Sequence, residues 1–81
     1  MKVTVKLFAS FREVTGAPTS EVELQPGTTI SQLWRRLVQS YPRLAPMSRI
    51  ASFAVNGNYT REDATLQDGD EVAFLPPVSG G

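Results

Sequence analysis

Four stretches of the chain alternate apolar and polar residues with a period of two, which is the pattern of a half-buried β-strand. In chain order they are residues 2–8, 20–24, 52–55 and 71–75. The first is rich in β-branched residues and turns Val3, Val5 and Leu7 to one side. Asn56-Gly57 follows the third stretch as a hairpin signal, and residues 59–60 could add a short fifth strand.

One longer stretch has the period of an α-helix. Between residues 30 and 41, apolar residues recur at i, i+3, i+4, i+7, i+8 and i+11, which forms one stripe along a helix. Thr29 followed by Gln32 is a capping-box pattern, and Pro42 cannot continue the helix. A shorter helical turn is predicted at residues 9–14.

The order of these elements predicts the fold class. One amphipathic helix, placed between two pairs of strands, needs a sheet on which to bury its apolar stripe. We therefore predict an α+β fold, the β-grasp or ubiquitin-like roll, whose mixed sheet has the first and last strands side by side and one main amphipathic helix packed on one face. A ferredoxin-like fold would require a second helix of comparable length. Residues 43–50 are predicted to be a loop, residues 1–77 the β-grasp domain, and residues 78–81 a flexible C-terminal tail.

Composition narrows the chemistry. The 81 residues correspond to one small domain, with eight basic and eight acidic residues, so no strong overall field favours nucleic acid or an anionic membrane. The chain has no cysteine and no histidine, which removes thiolate chemistry, the usual general base and the commonest metal ligands. No signal peptide or membrane span is expected, which favours a cytoplasmic protein.

The chain end is the strongest candidate for chemistry. Pro76-Pro77 cannot extend a strand ladder, so the last residues should leave the sheet as a tail that ends in Gly80-Gly81. A terminal glycine lacks Cβ, and it can therefore thread a narrow channel to an enzyme that activates its carboxylate. An acyl-adenylate formed there is open to attack by sulfur or by an amine. Because the chain lacks cysteine, any sulfur that it carries must sit at Gly81.

Three segments resemble one known family. Residues 68–81, which end in Pro76-Pro77-Val78-Ser79-Gly80-Gly81, closely resemble the C-terminal signature of the MoaD family, the small subunits of molybdopterin synthase. Residues 5–9 with Phe11-Arg12-Glu13 look like the N-terminal stretch of that family, and Ala54-Val55-Asn56 resembles its middle strand. The similarity covers essentially the whole chain.

The resemblance implies a sulfur carrier that is not itself catalytic. In the family, a ubiquitin-activating-like partner of the MoeB type uses ATP and magnesium to adenylate the C-terminal glycine, here Gly81. A sulfurtransferase then supplies sulfur as a thiocarboxylate. The tail enters the large subunit of the MoaE type, within a heterotetramer, and donates sulfur to cyclic pyranopterin monophosphate. The resemblance implies no cofactor or metal bound by the small subunit itself.

The resemblance also implies a docking surface around the tail. The predicted partner-binding residues are Phe8, Phe11, Arg12, Tyr59, Leu75, Pro76, Pro77, Val78 and Ser79. Ordinary surface packing is an alternative for Phe8 and Leu75. Phe11 and Tyr59 could instead belong partly to the core, and Arg12 could be simply solvated.

Other interpretations stay open for the function and for the acidic residues. Asp68, Asp70 and Glu71 could suggest a metal site. They are interpreted as turn residues, since no further oxygen ligands follow at regular spacing. A sulfur carrier for thiamine thiazole synthesis shares the Gly-Gly end and the activation chemistry. A ubiquitin-like modifier, joined to lysines of targets through Gly81, and a plain binding module are the remaining alternatives.

Overall fold

A computed structural model of the chain describes residues 1–16, 19–48 and 52–75. In chain order its elements are β1 (Lys2–Leu7), α1 (Ala9–Thr15), β2 (Thr19–Glu23), α2 (Ile30–Ser40), a 3-10 helix (Pro42–Met47), β3 (Ser52–Val55), β4 (Asn58–Tyr59) and β5 (Glu71–Leu75). The predicted tail, residues 78–81, lies outside the described residues.

The strands form one mixed sheet in the order β2-β1-β5-β3-β4. β1 and β5 are parallel neighbours near the centre, with Leu7 level with Phe74. β2 is antiparallel to β1, β3 is antiparallel to β5, and β4 is antiparallel to β3. This is the predicted arrangement, in which the first and last strands lie side by side.

α2 begins where the sequence predicted. The Thr29 hydroxyl accepts a hydrogen bond from the Gln32 backbone N–H at 3.2 Å, and the Gln32 side chain accepts one from the Thr29 backbone N–H at 2.9 Å. This reciprocal capping box satisfies two backbone donors at the start of the helix, where no intrahelical partner exists. The helix is therefore held in register by its own first turn.

The core lies between α2 and one face of the sheet. Ile30, Leu33, Trp34 and Leu37 are buried on the helix, and Val3, Val5, Leu7, Val72 and Phe74 are buried on the central strands. The Trp34 ring lies 5.4 Å from the Phe11 ring and 5.2 Å from the Phe74 ring, centroid to centroid. Trp34 Nε1 donates to Ser48 Oγ at 2.7 Å, so the polar atom of this buried ring has a partner at the edge of the core.

The prediction of a loop over residues 43–50 was wrong for most of that segment. Pro42 begins a 3-10 helix that continues to Met47, and Leu44 within it is fully buried. Proline is tolerated at the first position of a helix, where its missing N–H has no partner to lose. The apolar side chain of Leu44, packed into the core, stabilises a segment that has no helical period of its own.

Candidate functional site

The second face of the sheet is not covered by either α-helix. Alternation along the strands puts the side chains of Ala54, Tyr59, Ala73 and Leu75 on this face, opposite the buried residues of the core. The strand register pairs Ala54 with both Tyr59 and Ala73, and it pairs Leu75 with Ser52. We call Phe8, Leu75, Ala73, Ala54 and Tyr59 together the open-face strip.

Phe8 lies at one end of this strip. Its backbone is extended (φ −118°, ψ 154°), so it continues the alternation of β1 and turns away from Leu7 and the core. Lys6 is level with Ala73, and two further residues along the parallel strands bring Phe8 level with Leu75. Phe8, which follows directly after β1, is 41% exposed, so this large apolar residue presents surface next to the central strands.

Tyr59 lies at the other end of the strip, on the edge strand β4. It is 77% exposed, and with Phe8 it is one of two large hydrophobic residues that are exposed in the described part of the chain. Three strand spacings of about 4.8 Å separate β4 from β1, so the two aromatic residues are roughly 14 Å apart across the sheet. They flank a flatter apolar surface and do not form one cluster.

The structure corrects the predicted docking surface at Phe11. This residue is fully buried beside Trp34 and belongs to the core, so it presents no surface to a partner. The reason is the helical period of α1, which turns Phe11 inward. Arg12, the next residue, is exposed one helical turn after Phe8. Its backbone carbonyl accepts hydrogen bonds from Gly16 N–H at 2.8 Å and from the Thr15 hydroxyl at 3.4 Å.

The strand that leads to the chain end is well anchored. β5 pairs with β1 on one side as far as Phe74, and with β3 on the other as far as Leu75, which is half-buried. The predicted site residues Pro76, Pro77, Val78, Ser79, Gly80 and Gly81 follow and lie outside the described residues. β5 thus brings the chain to the end of the sheet where Phe8 lies.

The middle of the open-face strip, Ala54 and Ala73, was not predicted from the sequence. Ala54 is only 7% exposed and Ala73 is half-buried, although both face away from the helices. Their small side chains leave the sheet surface low between the two aromatic residues. Alanine at the outward positions of two strands was the available signal, since solvated strand positions more often carry polar residues.

Among the described residues, one ion pair borders the strip. Lys6 Nζ lies 3.3 Å from Glu71 Oε1, and the two side chains are 40% and 49% exposed. They sit on neighbouring parallel strands on the same face as Ala73. The apolar strip is therefore flanked by one positive and one negative charge that a partner can reach.

The acidic residues before β5 hold the turn that the sequence predicted there. Asp68 Oδ1 accepts from Lys2 N–H at 2.8 Å, and Asp70 Oδ2 accepts from Gln67 N–H at 2.8 Å. Within residues 1–16, 19–48 and 52–75, no three acidic side chains are grouped as they would be to hold a metal ion. No helix in the same residues is long and apolar enough to cross a membrane.

Fold and surface together define a class of protein. The mixed five-stranded sheet with one α-helix packed on it is a ubiquitin-like β-grasp fold. The chain belongs to the ThiS family, whose sequence profile matches residues 5–81 and therefore includes Gly80-Gly81.

Relatives and solved structures agree with this assignment. A molybdopterin synthase sulfur carrier subunit from Mycobacterium tuberculosis is 43% identical over 82 residues, which cover 100% of this chain and 99% of the relative. A putative molybdopterin converting factor, subunit 1, from Pyrococcus furiosus superposes with a TM-score of 0.86 at 32% identity, covering 96% of this chain and 99% of the other. The small archaeal modifier protein SAMP1 from Haloferax volcanii superposes with a TM-score of 0.84 at 31% identity, over 100% of both chains.

Proposed function

We propose that the protein is the sulfur-carrier subunit of molybdopterin synthase, and that Gly81 carries the sulfur. The observation that carries the proposal is the full-length match to a sulfur carrier subunit of nearly the same length, together with a family match that runs through residue 81. A carrier needs only a stable domain and a chain end that can be activated. The absence of cysteine and histidine from the chain is compatible with that limited role.

The chemistry begins at the Gly81 carboxylate. An adenylating enzyme of the ubiquitin-activating type, with ATP and magnesium, joins the carboxylate to AMP and releases pyrophosphate. Sulfur from a sulfurtransferase displaces AMP and leaves a thiocarboxylate. In the large synthase subunit this sulfur is transferred to cyclic pyranopterin monophosphate. Each step takes place in a partner, so this chain acts as a donor subunit in the cytoplasm and supplies no catalytic side chain.

The fold supports this proposal by anchoring the base of the tail. β5 lies between β1 and β3, and Leu75 is paired with Ser52 of β3, so the base of the tail is held at one place in the sheet. Six residues follow it, and an extended chain spans at most about 3.3–3.6 Å per residue, so Gly81 can reach roughly 20 Å beyond Leu75. That reach is enough for the end to enter a deep active site while the domain stays on the partner's surface.

The open-face strip is the proposed docking surface for the large subunit and, in turn, for the adenylating enzyme. It combines two exposed aromatic residues with low apolar positions between them, and such aromatic residues often dominate binding energy at interfaces. The proposed partner contacts in this strip are Phe8, Tyr59 and Leu75. Arg12 is a proposed contact beside the strip. Because both partners would need the same strip to reach the tail, they should bind one at a time.

Deletion of Gly81 tests the proposal. The variant should fold with an unchanged melting temperature and bind the large subunit with similar affinity, yet yield no thiocarboxylate and no molybdopterin in a reconstituted system. Mass spectrometry of the intact chain measures the replacement of oxygen by sulfur at the C-terminus. Gln39→Ala, on the exposed side of α2, keeps the whole tail and is the control. A Gly81 deletion that still supports molybdopterin formation would refute the proposal.

A second function has one specific observation in its favour. The likeness to SAMP1, a small archaeal modifier protein, indicates that a fold of this kind can also serve protein modification. A modifier would form an isopeptide between Gly81 and lysines of targets. Affinity purification from cells, followed by mass spectrometry, separates the two: target-linked Gly81 without thiocarboxylate would favour modification. For a sulfur carrier of thiazole synthesis, the co-purified partner would instead be the thiazole synthase. Removal of that synthase from the cells would then remove the co-purified partner.

A further inference from the structure

The turn after β3 and the turn before β5 meet at the end of the sheet opposite Leu75, and the side-chain amide of Asn56 joins them. Asn56 Nδ2 donates to Asp70 Oδ1 at 2.9 Å, and Asn56 Oδ1 accepts from Glu71 N–H at 3.0 Å. The backbones are paired as well, since Asn56 N–H donates to Glu71 O at 2.8 Å. Both polar atoms of the amide are therefore engaged.

The backbone of this turn has a particular chemical consequence. Asn56 has a φ of +51° and Gly57 a φ of +86°, the left-handed values that an Asn-Gly hairpin turn requires. A glycine after asparagine also leaves its backbone nitrogen unhindered, so that nitrogen can attack the side-chain amide carbon. Asn-Gly is for this reason the dipeptide in which asparagine loses its amide most readily. The chain has one other asparagine, Asn58, and it precedes the bulky Tyr59.

We propose that Asn56 is a latent deamidation site, shielded in the folded protein by its hydrogen bonds to Asp70 and Glu71. Attack requires the side chain to rotate toward Gly57, and rotation breaks both hydrogen bonds of the amide. Reaction then proceeds only from states in which the β3–β4 turn has opened away from β5. Such local openings have their own free energy, smaller than that of global unfolding.

The covalent step is balanced with water as the only co-reactant. The Gly57 nitrogen forms a bond to Cγ of Asn56 and loses its proton, and the Cγ–Nδ2 bond breaks to release ammonia. Water then opens the resulting cyclic imide at one of its two carbonyls and yields aspartate or isoaspartate. No atom is oxidised or reduced. In either product one side-chain amide is lost and one carboxylate is gained, and in isoaspartate the backbone also runs through Cγ.

The product should prevent the turn from closing again. A carboxylate at residue 56 would replace the donor that Asp70 Oδ1 contacts at 2.9 Å, and two like charges would face each other there. Asp70 also holds the turn before β5 through Gln67, so the repulsion bears on the start of the central strand. Deamidation at Asn56 would therefore loosen the structure that shields it.

Rates of deamidation test the shield. The folded protein, its urea-unfolded form, and folded Asp70→Ala and Asp68→Ala variants are incubated at mildly alkaline pH, and deamidation is located by peptide mapping. We expect the folded protein to react about tenfold or more slowly than the unfolded chain, because reaction waits for local opening. Asp70→Ala should accelerate it several-fold.

Asp68→Ala is the matched control, because Asp68 lies in the same turn and accepts a backbone hydrogen bond from Lys2 but does not contact Asn56. It should leave the rate close to that of the parent protein. Equal rates in folded and unfolded protein, or equal acceleration by both variants, would overturn the proposal. So would modification located at Asn58.

An exchange of the side chains of residues 56 and 70 tests whether a carboxylate at residue 56 destabilises the turn. Asn56→Asp alone should lower the melting temperature by roughly 4–8 °C, the shift expected in a small domain for the loss of one solvent-exposed hydrogen bond. The double variant Asn56→Asp with Asp70→Asn reverses donor and acceptor while it keeps the acceptors for Glu71 and Gln67. It should recover most of that loss. A double variant that is no more stable than Asn56→Asp would refute the account of repulsion at Asp70.

Discussion

The two faces of the central sheet are built from the same strands but are used differently. On the helix-facing side, Val5, Val72 and Phe74 are completely buried, and α2 covers them. On the other side, Ala73 and Leu75 are only half-buried and Tyr59 is mostly exposed. Phe74 and Leu75 are consecutive residues, yet one completes the core and the other lies in the proposed docking surface. The period of two in a strand assigns stability to one set of positions and leaves the alternate set to recognition.

The largest expected effect is on stability, and it distinguishes the two faces of the sheet at two consecutive residues. Phe74→Ala should lower the free energy of unfolding by about 3–5 kcal/mol, because it leaves a cavity beside the rings of Trp34 and Phe53. Leu75→Ala, the next residue, should cost about 1–2 kcal/mol, since less of its side chain is removed from water. Urea denaturation followed by circular dichroism measures both. Equal losses would show that the two faces are not distinct in stability.

The open face should have its large effect on binding. Tyr59→Ala should weaken association with the large synthase subunit by about 1–3 kcal/mol, as expected for an exposed aromatic residue that becomes buried in an interface. The free energy of unfolding of the Tyr59→Ala variant should differ from that of the parent protein by no more than about 0.5 kcal/mol, since Tyr59 is 77% exposed. Calorimetric titration measures the affinity. Gln39→Ala on the exposed side of α2 is the control, and a similar loss there would contradict the assignment of the docking face.

The N-cap of α2, the helix that covers one face of the sheet, should make a smaller contribution to stability. Thr29→Ala should destabilise the domain by about 1 kcal/mol, because the Gln32 backbone N–H loses its side-chain acceptor. Thr29→Ser keeps the hydroxyl and should cost much less. The difference between the two variants in thermal unfolding isolates the cap. If the serine variant were as unstable as the alanine variant, packing of the threonine methyl group would be the cause instead.

The smallest effect is expected from the ion pair beside the strip. A double-mutant cycle with Lys6→Met and Glu71→Gln should give a coupling of about 0.2–1 kcal/mol, because both side chains are substantially solvated. Raising the salt concentration should reduce that coupling further. A coupling above about 2 kcal/mol, insensitive to salt, would mean that this face contributes to stability more than its exposure indicates.

Local patterns in the sequence predicted the parts of the structure that depend on neighbours along the chain. The strands, α2 and its capping box were confirmed, because alternation, helical period and the Thr29–Gln32 pair act within a few residues. The β-grasp arrangement was confirmed as well, since one amphipathic helix among four strands leaves few ways to bury its stripe. The C-terminal residues resembled the MoaD family, and that resemblance was confirmed by the ThiS family match over residues 5–81 and by relatives named molybdopterin synthase sulfur carrier subunit.

Tertiary structure decided what depends on residues far apart in the chain. Phe11 was predicted as a partner-binding residue, with partial burial in the core as the alternative. Its ring packs on Trp34, which is 23 positions away, and only that packing makes it a core residue. The segment Pro42–Met47 is a 3-10 helix because Leu44 finds space in the core. Ala54 and Ala73 become neighbours only when β3 pairs with β5, and Asn56 finds Asp70 by the same pairing. Short-range patterns determine each element, whereas the contacts between elements determine which side chains are left for a partner and which are held in place.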